Sequence, residues 1–332
     1  METGAGLVSN VPLYPLRFRP IFKRAIWGGR RFETVLGKRL PPGDDWSESW
    51  EVCDHDADQS IVEFGPLAGA TLEQLTAQRG EELLGRHDPQ WRFPLLAKFL
   101  DGRQTLSLQV HPNDAQAARL TPPDLGKTEV WVVMQAEPGS VIYAGLEPGV
   151  DRARLDSAIR QGRCEPCLHT IEARRGDCVL VPAGTVHALG AGLLVAEIQQ
   201  ASDVTYRLFD WNRLGPDGKL RPLRIEQGLD VVDFGRGPVE AQKPRPTDRP
   251  WTTRLAQCDK FVLDRWTLDR PELIGGDRRC HLLTVFEGQV VVEGDPAVAA
   301  LTQGGTLLLP ASLGEVRLTP QPGAVVLDAY LP

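Results

Sequence analysis

Two apolar stretches decide the fold: Leu106-Ser107-Leu108-Gln109-Val110-His111-Pro112 and Val179-Leu180-Val181-Pro182-Ala183-Gly184-Thr185-Val186-His187. The first is typical of a β-strand, and because side chains alternate between faces, Gln109 and His111 point to one side. Between the stretches, the β-branched and aromatic run at 127–133 predicts a strand that carries Glu129 near its head. The sequence therefore predicts one site for a divalent cation, with an amide oxygen, a carboxylate and two imidazoles as ligands: Gln109, Glu129, His111 and His187.

The spacing that ends at His187 is specific. Gly176 is followed by five residues and Pro182, then by one residue and Gly184, then by two residues and His187. This spacing resembles the second motif of the cupin superfamily position for position. In that motif glycine and proline close a turn, and the histidine emerges from the next strand.

The first cupin motif is only partly kept. Gln109 stands where many cupins have a first histidine, and an insertion with prolines at 122 and 123 separates His111 from Glu129. These departures, together with Gly-Lys-Thr-Glu at 126–129, resemble the type I mannose-6-phosphate isomerase family in its shorter bacterial form. The resemblance implies one Zn²⁺ per chain at this site and interconversion of mannose 6-phosphate and fructose 6-phosphate.

Each candidate histidine has an alternative interpretation. A single histidine after a strand is more often a satisfied hydrogen-bonding group than a metal ligand. Two histidines at cupin spacing favour the metal site. The other four lack such a context, and we expect them to be structural or solvent-facing: His55, His87, His169 and His281.

Length and composition predict an all-β protein. A chain of 332 residues is long enough for two domains at roughly 150 residues per domain, and its 42% hydrophobic and 24% charged content is ordinary for a globular protein. The 27 prolines and 33 glycines, with short Val- and Leu-rich runs between them, favour strands and tight turns over a helical bundle. With the cupin resemblance, this predicts two jelly-roll barrels with helical insertions.

Charge and hydropathy restrict the partners. A net charge of -7 argues against a nucleic-acid surface, which needs a basic face. No stretch reaches the roughly eighteen apolar residues of a membrane span, and the N-terminus lacks the basic start and apolar middle of a secretory signal. We expect a cytoplasmic protein with a small sugar phosphate as partner and no nucleic acid or membrane, either a monomer or a homodimer.

Six scattered cysteines indicate reduced thiols rather than a disulfide framework. Cys164 and Cys167 form a CxxC pair, for which a zinc or redox role is conceivable. No second pair accompanies it, so two thiols on a turn before a strand are the preferred interpretation.

Local patterns predict several elements. Leucines at near-helical spacing predict a helix over 71–84, with Thr71 or Gly69 as cap and Gly85 at its end. Two further helices are predicted over 150–161 and over 114–120, the latter capped by Asn113. The alternation at 13–23 suits an edge strand, and the glycine pair at 28–29 allows a tight turn or a close backbone approach.

Two lysines are candidates for the site. Lys98 interrupts the apolar strand at 93–100, either as an edge strand's guard against aggregation or as a charge directed into the site. The second interpretation is favoured, because this strand leads into that of Gln109 and the family has a lysine here. Lys127 lies two residues before Glu129, hence on the same face. Either lysine could bind phosphate or act in acid–base chemistry.

Asp203 and Arg207 match a further feature of the family, an aspartate followed four residues later by an arginine. Arginine supplies a planar donor fork to oxygen-rich substrates, so Arg207 is expected to stabilise developing negative charge. Asp203 would orient it or move the proton. Alternatively, Asp203 caps a turn and Arg207 pairs with Asp210.

The domain organisation follows from a proline-rich segment. We expect a flexible N-terminal lead at 1–15, a metal-binding catalytic cupin domain at 16–235, a linker at 236–250 and a second cupin-like domain at 251–332. The last domain keeps Gly304 and Pro310 of the motif, but no histidine follows. It is therefore expected to be free of metal.

Two other function classes compete. An iron-dependent cupin dioxygenase would use two histidines and a carboxylate with open positions, where an amide ligand such as Gln109 is uncommon. A non-catalytic cupin could keep the metal and bind the sugar phosphate without turnover.

Overall fold

The structure, a computed structural model, describes residues 11–215 and 217–332. Strands dominate these ranges and helices are few, which confirms the all-β prediction. The strands, in chain order, are β1 (Ile21–Gly29), β2 (Trp46–Val52), β3 (Asp54–His55), β4 (Asp58–Gln59), β5 (Leu95–Gly102), β6 (Leu108–Val110), β7 (Glu129–Ala136), β8 (Val141–Leu146), β9 (Leu168–Glu172), β10 (Cys178–Val181), β11 (His187–Leu189), β12 (Leu193–Gln200), β13 (Tyr206–Phe209), β14 (Arg245–Pro246), β15 (Thr252–Gln257), β16 (Val262–Leu268), β17 (Glu272–Gly275), β18 (His281–Val292), β19 (Leu301–Thr302), β20 (Thr306–Leu309) and β21 (Glu315–Tyr330). The α-helices are α1 (Arg31–Thr34), α2 (Leu72–Leu84), α3 (Asp114–Ala117), α4 (Arg152–Gln161) and α5 (Ile225–Val231).

The strands form three large sheets. The first sheet has the order β1-β2-β5-β12-β7-β10, and the second has the order β13-β6-β11-β8-β9. The third sheet has the order β14-β15-β16-β21-β18-β19, with β17 added on β21 and β20 added on β18. Strands β3 and β4 form a separate hairpin. All recorded strand pairs in these sheets are antiparallel, so hairpins and longer returns connect them.

The first sheet is buried on both faces, and β12 shows how its sequence achieves this. Leu193 and Val195 point into an apolar core shared with the second sheet, whereas Leu194, Ala196 and Ile198 point into a core shared with the third sheet. We call these the inner core and the outer core. Because a slip of one residue would exchange the two sets of side chains, the pattern fixes the strand register.

The inner core ends where polar side chains replace apolar ones on the same face. In β12 the alternation continues from Val195 to Glu197, and in β7 it runs from Trp131 to Glu129. In β5, Lys98 shares its face with Leu100. These polar positions gather at one end of the space between the first and second sheets.

Helices cover the remaining faces. Leu155 and Ile159 of α4 and Leu229 of α5 pack with Leu108 and Leu208 on the outer side of the second sheet. The α4 helix was predicted, with slightly wider bounds, and is confirmed. The α5 helix was not predicted. No helix within the described ranges combines the length and apolarity needed to cross a membrane.

The predicted helix at 71–84 is confirmed. The Thr71 hydroxyl accepts a hydrogen bond from the Gln74 amide, while the Gln74 side chain accepts one from the Thr71 amide, so the two form a capping box. Gly85 follows the last residue. Asn113 and Gln116 form the same arrangement at α3, which ends at Ala117 rather than at the predicted 120.

Several predictions are corrected near the N-terminus. Residues 1–10 of the predicted lead lie outside the described part, and the strand predicted at 13–23 begins only at Ile21. Gly28 lies inside β1 and not in a turn; a Cβ atom there would stand 2.5 Å from the Asp45 carbonyl oxygen. The close-approach interpretation of this glycine is therefore the correct one.

The third sheet packs directly on the first. Leu263 and Leu282 of the third sheet belong to the outer core together with Phe99 and Ile198 of the first.

The six cysteines are free thiols, and all but Cys258 are buried.

Candidate active site

A cavity of about 910 Å³ opens at the polar end of the inner core. Five of the residues predicted for the site line it: Lys98, Gln109, Lys127, Asp203 and Arg207. The predicted insertion also reaches this cavity, since residues 120–124 form part of its wall.

Three predicted metal ligands meet behind this cavity. His111, Glu129 and His187 are each at most 1% exposed, and one potential ligand atom from each lies within 4.8 Å of the others. The His111 Nε2 atom lies 3.4 Å from Glu129 Oε2, and His187 Nε2 lies 3.2 Å from Glu129 Oε1. Residues that are far apart in sequence thus converge on one point.

Backbone contacts orient both imidazoles. His111 Nδ1 lies 2.8 Å from the Val204 carbonyl oxygen, and His187 Nδ1 lies 2.8 Å from that of Thr185. A proton on each Nδ1 satisfies that carbonyl and leaves the Nε2 lone pair free, the arrangement found in metal-binding histidines. The turn before His187 requires Gly184 at φ +84°, a backbone conformation that favours glycine.

The electrostatics keep the imidazoles neutral and the carboxylate charged. Burial and then the Lys127 ammonium lower the pKa of His111 to about 3, and burial also lowers the pKa of His187. Burial alone would raise the pKa of Glu129, but Lys127 and His111 hold it well below its usual value. Neutral imidazole and ionised carboxylate are the forms that bind metal.

This group of residues fits a divalent cation. Glu129 Oε1 and His187 Nε2 are buried and have no hydrogen-bond partner among residues 11–215 and 217–332, and such atoms need an explanation in a folded protein. Gln109 lies directly opposite His187 in the register of β6 and β11, so the two side chains share a face. Two nitrogens and one or two oxygens suit zinc, although they do not distinguish it from other transition metals.

Lys127 contacts the metal-ligand candidates directly. Its Nζ atom lies 2.9 Å from His111 Nε2, 2.7 Å from Glu129 Oε2 and 3.8 Å from Glu197 Oε1. The ammonium and a bound cation would compete for the same lone pairs. Lys127 is therefore placed where the binding of an ion and the position of a proton affect each other.

Lys98 faces the site and does not guard an edge. Strand β5 lies between β2 and β12, so the edge-strand interpretation is wrong. The Lys98 Nζ atom lies 3.0 Å from Glu48 Oε2 and 3.7 Å from Glu197 Oε1. Although burial opposes the charge, the two carboxylates raise the pKa of Lys98, which stays an ammonium.

Sequence reasoning missed Glu197. This side chain is 2% exposed, lines the cavity, and carries an Oε1 atom without a hydrogen-bond donor. Burial and the Glu129 charge raise its pKa to about 8, and Lys98 and Lys127 only partly offset this. A lone carboxylate within the apolar run at 193–199 was the available signal.

Arg207 and Asp203 lie at the rim. Arg207 is opposite Gln109 in the register of β13 and β6; its Nη1 donates to the Pro222 carbonyl oxygen at 2.9 Å, and its Nε has no partner. Burial and then the neighbouring Arg221 lower the pKa of the Arg207 guanidinium. Asp203 is exposed, and its carboxylate makes no recorded ion pair with Arg207 in the described ranges.

The alternative pairing of Arg207 with Asp210 is wrong. The Asp210 carboxylate instead accepts hydrogen bonds from Arg213 at 2.6 Å and from Arg221 Nε at 2.7 Å. The Arg207 guanidinium therefore keeps donor capacity toward the cavity. Arg224 also lines this part of the rim and makes no recorded ion pair within the described part of the chain.

Comparisons with known proteins find similar chains of one family. The family described as phosphomannose isomerase type I, catalytic domain, matches residues 16–129. The chain is 34% identical over 305 residues to mannose-6-phosphate isomerase ManA of Bacillus subtilis (strain 168), covering 92% of this chain and 95% of that protein. It is 33% identical to the mannose-6-phosphate isomerase of Streptococcus mutans serotype c, covering 90% and 93%. The crystal structure of the mannose 6-phosphate isomerase from Bacillus subtilis superposes with a TM-score of 0.87 at 28% identity, covering 96% of this chain and 99% of that one.

Proposed function

The chain belongs to the type I phosphomannose isomerase family, and from that premise we propose that it is a zinc-dependent aldose–ketose isomerase. Its reaction would interconvert mannose 6-phosphate and fructose 6-phosphate by proton transfer through an enediol. The observation that carries the proposal is the buried group of His111, Glu129 and His187 beside a cavity that contains both lysines and a carboxylate of raised pKa.

We assign Gln109, His111, Glu129 and His187 as the ligands of one Zn²⁺. Neutral imidazoles fixed by backbone carbonyls and the partnerless Glu129 Oε1 atom support this assignment. When bound, the ion supplies a Lewis acid that polarises the sugar carbonyl and offsets charge on its oxygen.

The chain must also move a proton between C1 and C2. A base works best when its pKa lies near the working pH, and Glu197, with a pKa near 8, meets this condition in a buried position. Lys127 lies within 3.8 Å of Glu197 and can hold or return the proton at its Nζ atom. Asp203, exposed at the rim, remains our candidate for orienting Arg207 or for moving a proton to solvent.

The cationic side chains of the cavity are the candidates for binding the phosphate and for stabilising developing negative charge. The Glu48 carboxylate already balances the charge of Lys98, and Glu197 Oε1 lies 3.7 Å from the Lys98 Nζ atom, so the role of Lys98 in this proposal is to position Glu197 and to donate hydrogen bonds to the sugar. Lys127 is proposed to contact the sugar oxygens. Arg207, whose guanidinium has no carboxylate partner in the described part of the chain, is the strongest candidate for the phosphate or for developing negative charge.

We further propose the organisation on which this activity rests. Residues 16–235 would form a catalytic cupin barrel from the first and second sheets, 1–15 a lead and 236–250 a linker. Residues 251–332 would form a second cupin-like domain from the third sheet, without a metal. We propose a cytoplasmic enzyme, as a monomer or a homodimer, whose partner is the sugar phosphate.

A coupled assay of metal-stripped and zinc-restored protein with mannose 6-phosphate tests the function. We expect no turnover after stripping, recovery with zinc, and a loss in Arg207→Ala of roughly 10-fold or more in kcat/KM, the size of a lost charge-assisted hydrogen bond. Absence of turnover in both forms with tight sugar-phosphate binding would show a binding protein. Oxygen consumption by iron-loaded protein, without isomerisation, would show a dioxygenase.

A further inference from the structure

A second cavity, of about 220 Å³, lies against the third sheet and far in sequence from the candidate ligands. Its floor is one face of that sheet, as the register shows. Thr252 lies opposite Trp266, Arg254 lies opposite Asp264, and Asp264 also lies opposite Asp328 on β21. Residues directly opposite each other share a face, so these side chains form one surface. We call this space the third-sheet cavity.

The floor contains two opposed carboxylates. Asp264 and Asp328 are 5% and 1% exposed, and like charges directly opposite each other destabilise a sheet. Arg254 Nε donates to Asp264 Oδ1 at 2.6 Å, and the Tyr330 hydroxyl donates to Asp264 Oδ2 at 2.8 Å. A protein that needed only stability could place an apolar pair here, because buried ion pairs contribute little net stability.

His281 holds the second carboxylate. Its Nδ1 donates to Asp328 at 2.9 Å, and its Nε2 lies 3.2 Å from Asp277 Oδ1. Burial opposes the charge, but Asp328 and Asp277 raise the pKa of His281 to about 10, so it is an imidazolium. The sequence singled out no role for this histidine.

Two buried polar atoms of the cavity have no partner. Thr252 and Trp266 are 4% and 3% exposed, and neither the threonine hydroxyl nor the indole Nε1 makes a hydrogen bond with any residue that the structure describes. A buried polar group without a hydrogen bond destabilises the fold, so two such atoms on residues that lie opposite each other in the sheet call for an external partner. The indole is a hydrogen-bond donor and the threonine hydroxyl is both donor and acceptor, so the two groups together suit the hydroxyls of a ligand.

The charges that line the cavity restrict the chemical class of its ligand. Four carboxylates face three cations, giving a formal balance of -1, from Asp248, Asp264, Asp277, Asp328, Arg249, Arg254 and His281. This balance disfavours an anion such as a sugar phosphate. An apolar ligand would strip solvent from charged groups without replacing their hydrogen bonds. A cation would compete with partners that Asp264 and Asp328 already have.

The remaining class is a small neutral molecule rich in hydroxyls. Such a molecule can donate to the unused lone pairs of the carboxylates and accept from the indole. The volume is below the roughly 300–1,000 Å³ of drug-sized pockets, which sets the size at about one monosaccharide. We propose that the third-sheet cavity binds a neutral polyol of monosaccharide or hexitol size through Thr252, Trp266, Asp264 and Asp328.

Calorimetric titration of the full, zinc-loaded chain tests this proposal. The probes are D-mannose, D-fructose, D-mannitol and glycerol, each with and without an equilibrated mixture of mannose 6-phosphate and fructose 6-phosphate to fill the catalytic cavity. We expect at least one probe to bind saturably with 1:1 stoichiometry, and we expect this binding to persist when the sugar phosphates are present. Failure of all four to bind, or displacement by the sugar phosphates, would overturn the proposal.

Matched variants locate the site. Thr252→Val keeps the side-chain shape and breaks no hydrogen bond, so it should fold, leave isomerase kcat/KM unchanged and weaken the probe about tenfold. Thr253→Val removes another partnerless hydroxyl from the adjacent residue, which faces the opposite side, and should leave probe affinity unchanged. Trp266→Phe provides a second test of the cavity. Equal affinities in the wild type and the Thr252→Val and Trp266→Phe variants would rule this cavity out.

Discussion

Glu197 shows how burial can prepare a carboxylate for proton transfer. Its neighbours are two lysines and two carboxylates, so its charge state depends on a balance between opposing fields. Burial shifts this balance toward the neutral acid, and the group changes state near neutral pH. An exposed glutamate would be fully ionised there and a weaker base.

The first prediction concerns this residue. Glu197→Gln keeps the size of the side chain but cannot accept a proton, so kcat should fall by about 10²- to 10⁴-fold while KM changes little. Steady-state kinetics in the coupled assay measure both quantities. Metal content and thermal stability should stay close to those of the wild type.

Glu172→Gln is the matched control, because Glu172 is exposed on β9 at the edge of the second sheet. Its kinetics should equal those of the wild type. If Glu197→Gln kept kcat within about threefold of the wild type, Glu197 would not be the base.

Among the elements, those with a local signal were predicted well. The signals for helix α2 are leucines at near-helical spacing with Thr71 before them and Gly85 after them, and the signals for the turn before His187 are Pro182 and Gly184. The candidate metal ligands were located because motif spacing places them on strand ends. The structure brings His111, Glu129 and His187 together, and the binding of a metal by these three and Gln109 stays a prediction.

Side chains whose roles depend on residues distant in sequence were not predicted. The role of Glu197 depends on Lys98, which lies on β5, and on Lys127, which lies just before β7, and no spacing within β12 predicts either contact. His281 is likewise explained by Asp328, 47 residues away. Burial and partners decide the roles of these side chains, and neither is a property of the local sequence.

The second prediction concerns the pairing of β18 with β21. The pKa of His281 is raised from an ordinary value of 6.5 to about 10, so the folded chain holds a proton that the unfolded chain loses above pH 6.5. Its contribution to the free energy of unfolding is therefore fully present below pH 6.5 and declines as pH rises toward 10, by at most about 1.4 kcal/mol per pH unit.

His281→Gln removes this dependence. Urea unfolding at pH 6, 8 and 9.5 should show a difference between wild type and variant that shrinks as pH rises. The two carboxylates that hold the proton on His281, those of Asp277 and Asp328, remain in both proteins. A difference that is constant across this range would contradict the assignment of an imidazolium.

At the scale of the whole molecule, the first sheet connects two cores. Its inner face closes the site with the second sheet, and its outer face packs on the third sheet. The strands that carry Lys98, Glu129 and Glu197 thus depend on packing contributed by residues beyond 250. The third sheet supports the site without touching it.

The third prediction follows from this connection. Leu263→Ala on β16 deletes a fully buried side chain of the outer core and should cost about 2–5 kcal/mol. Tryptophan fluorescence and residual isomerase activity, followed during heating, should fall together and at a lower temperature than in the wild type.

Arg265→Ala tests the neighbouring position, where the side chain is partly exposed. It should shift the midpoint far less. Activity that survived a first unfolding transition of Leu263→Ala would show that the third sheet unfolds independently of the site.

The burial of the thiols has a practical consequence. Burial raises the pKa of Cys164, Cys178 and Cys280 to about 12, and a protonated sulfur is a poor nucleophile toward alkylating reagents and peroxide. Cys164 packs in the core between α4 and the second sheet, whereas Cys178 and Cys280 both pack in the outer core. Iodoacetamide would therefore modify Cys164 only when the helices separate from the second sheet, and Cys178 and Cys280 only when the outer core opens, so the masses of the labelled peptides would record which of the two opens first.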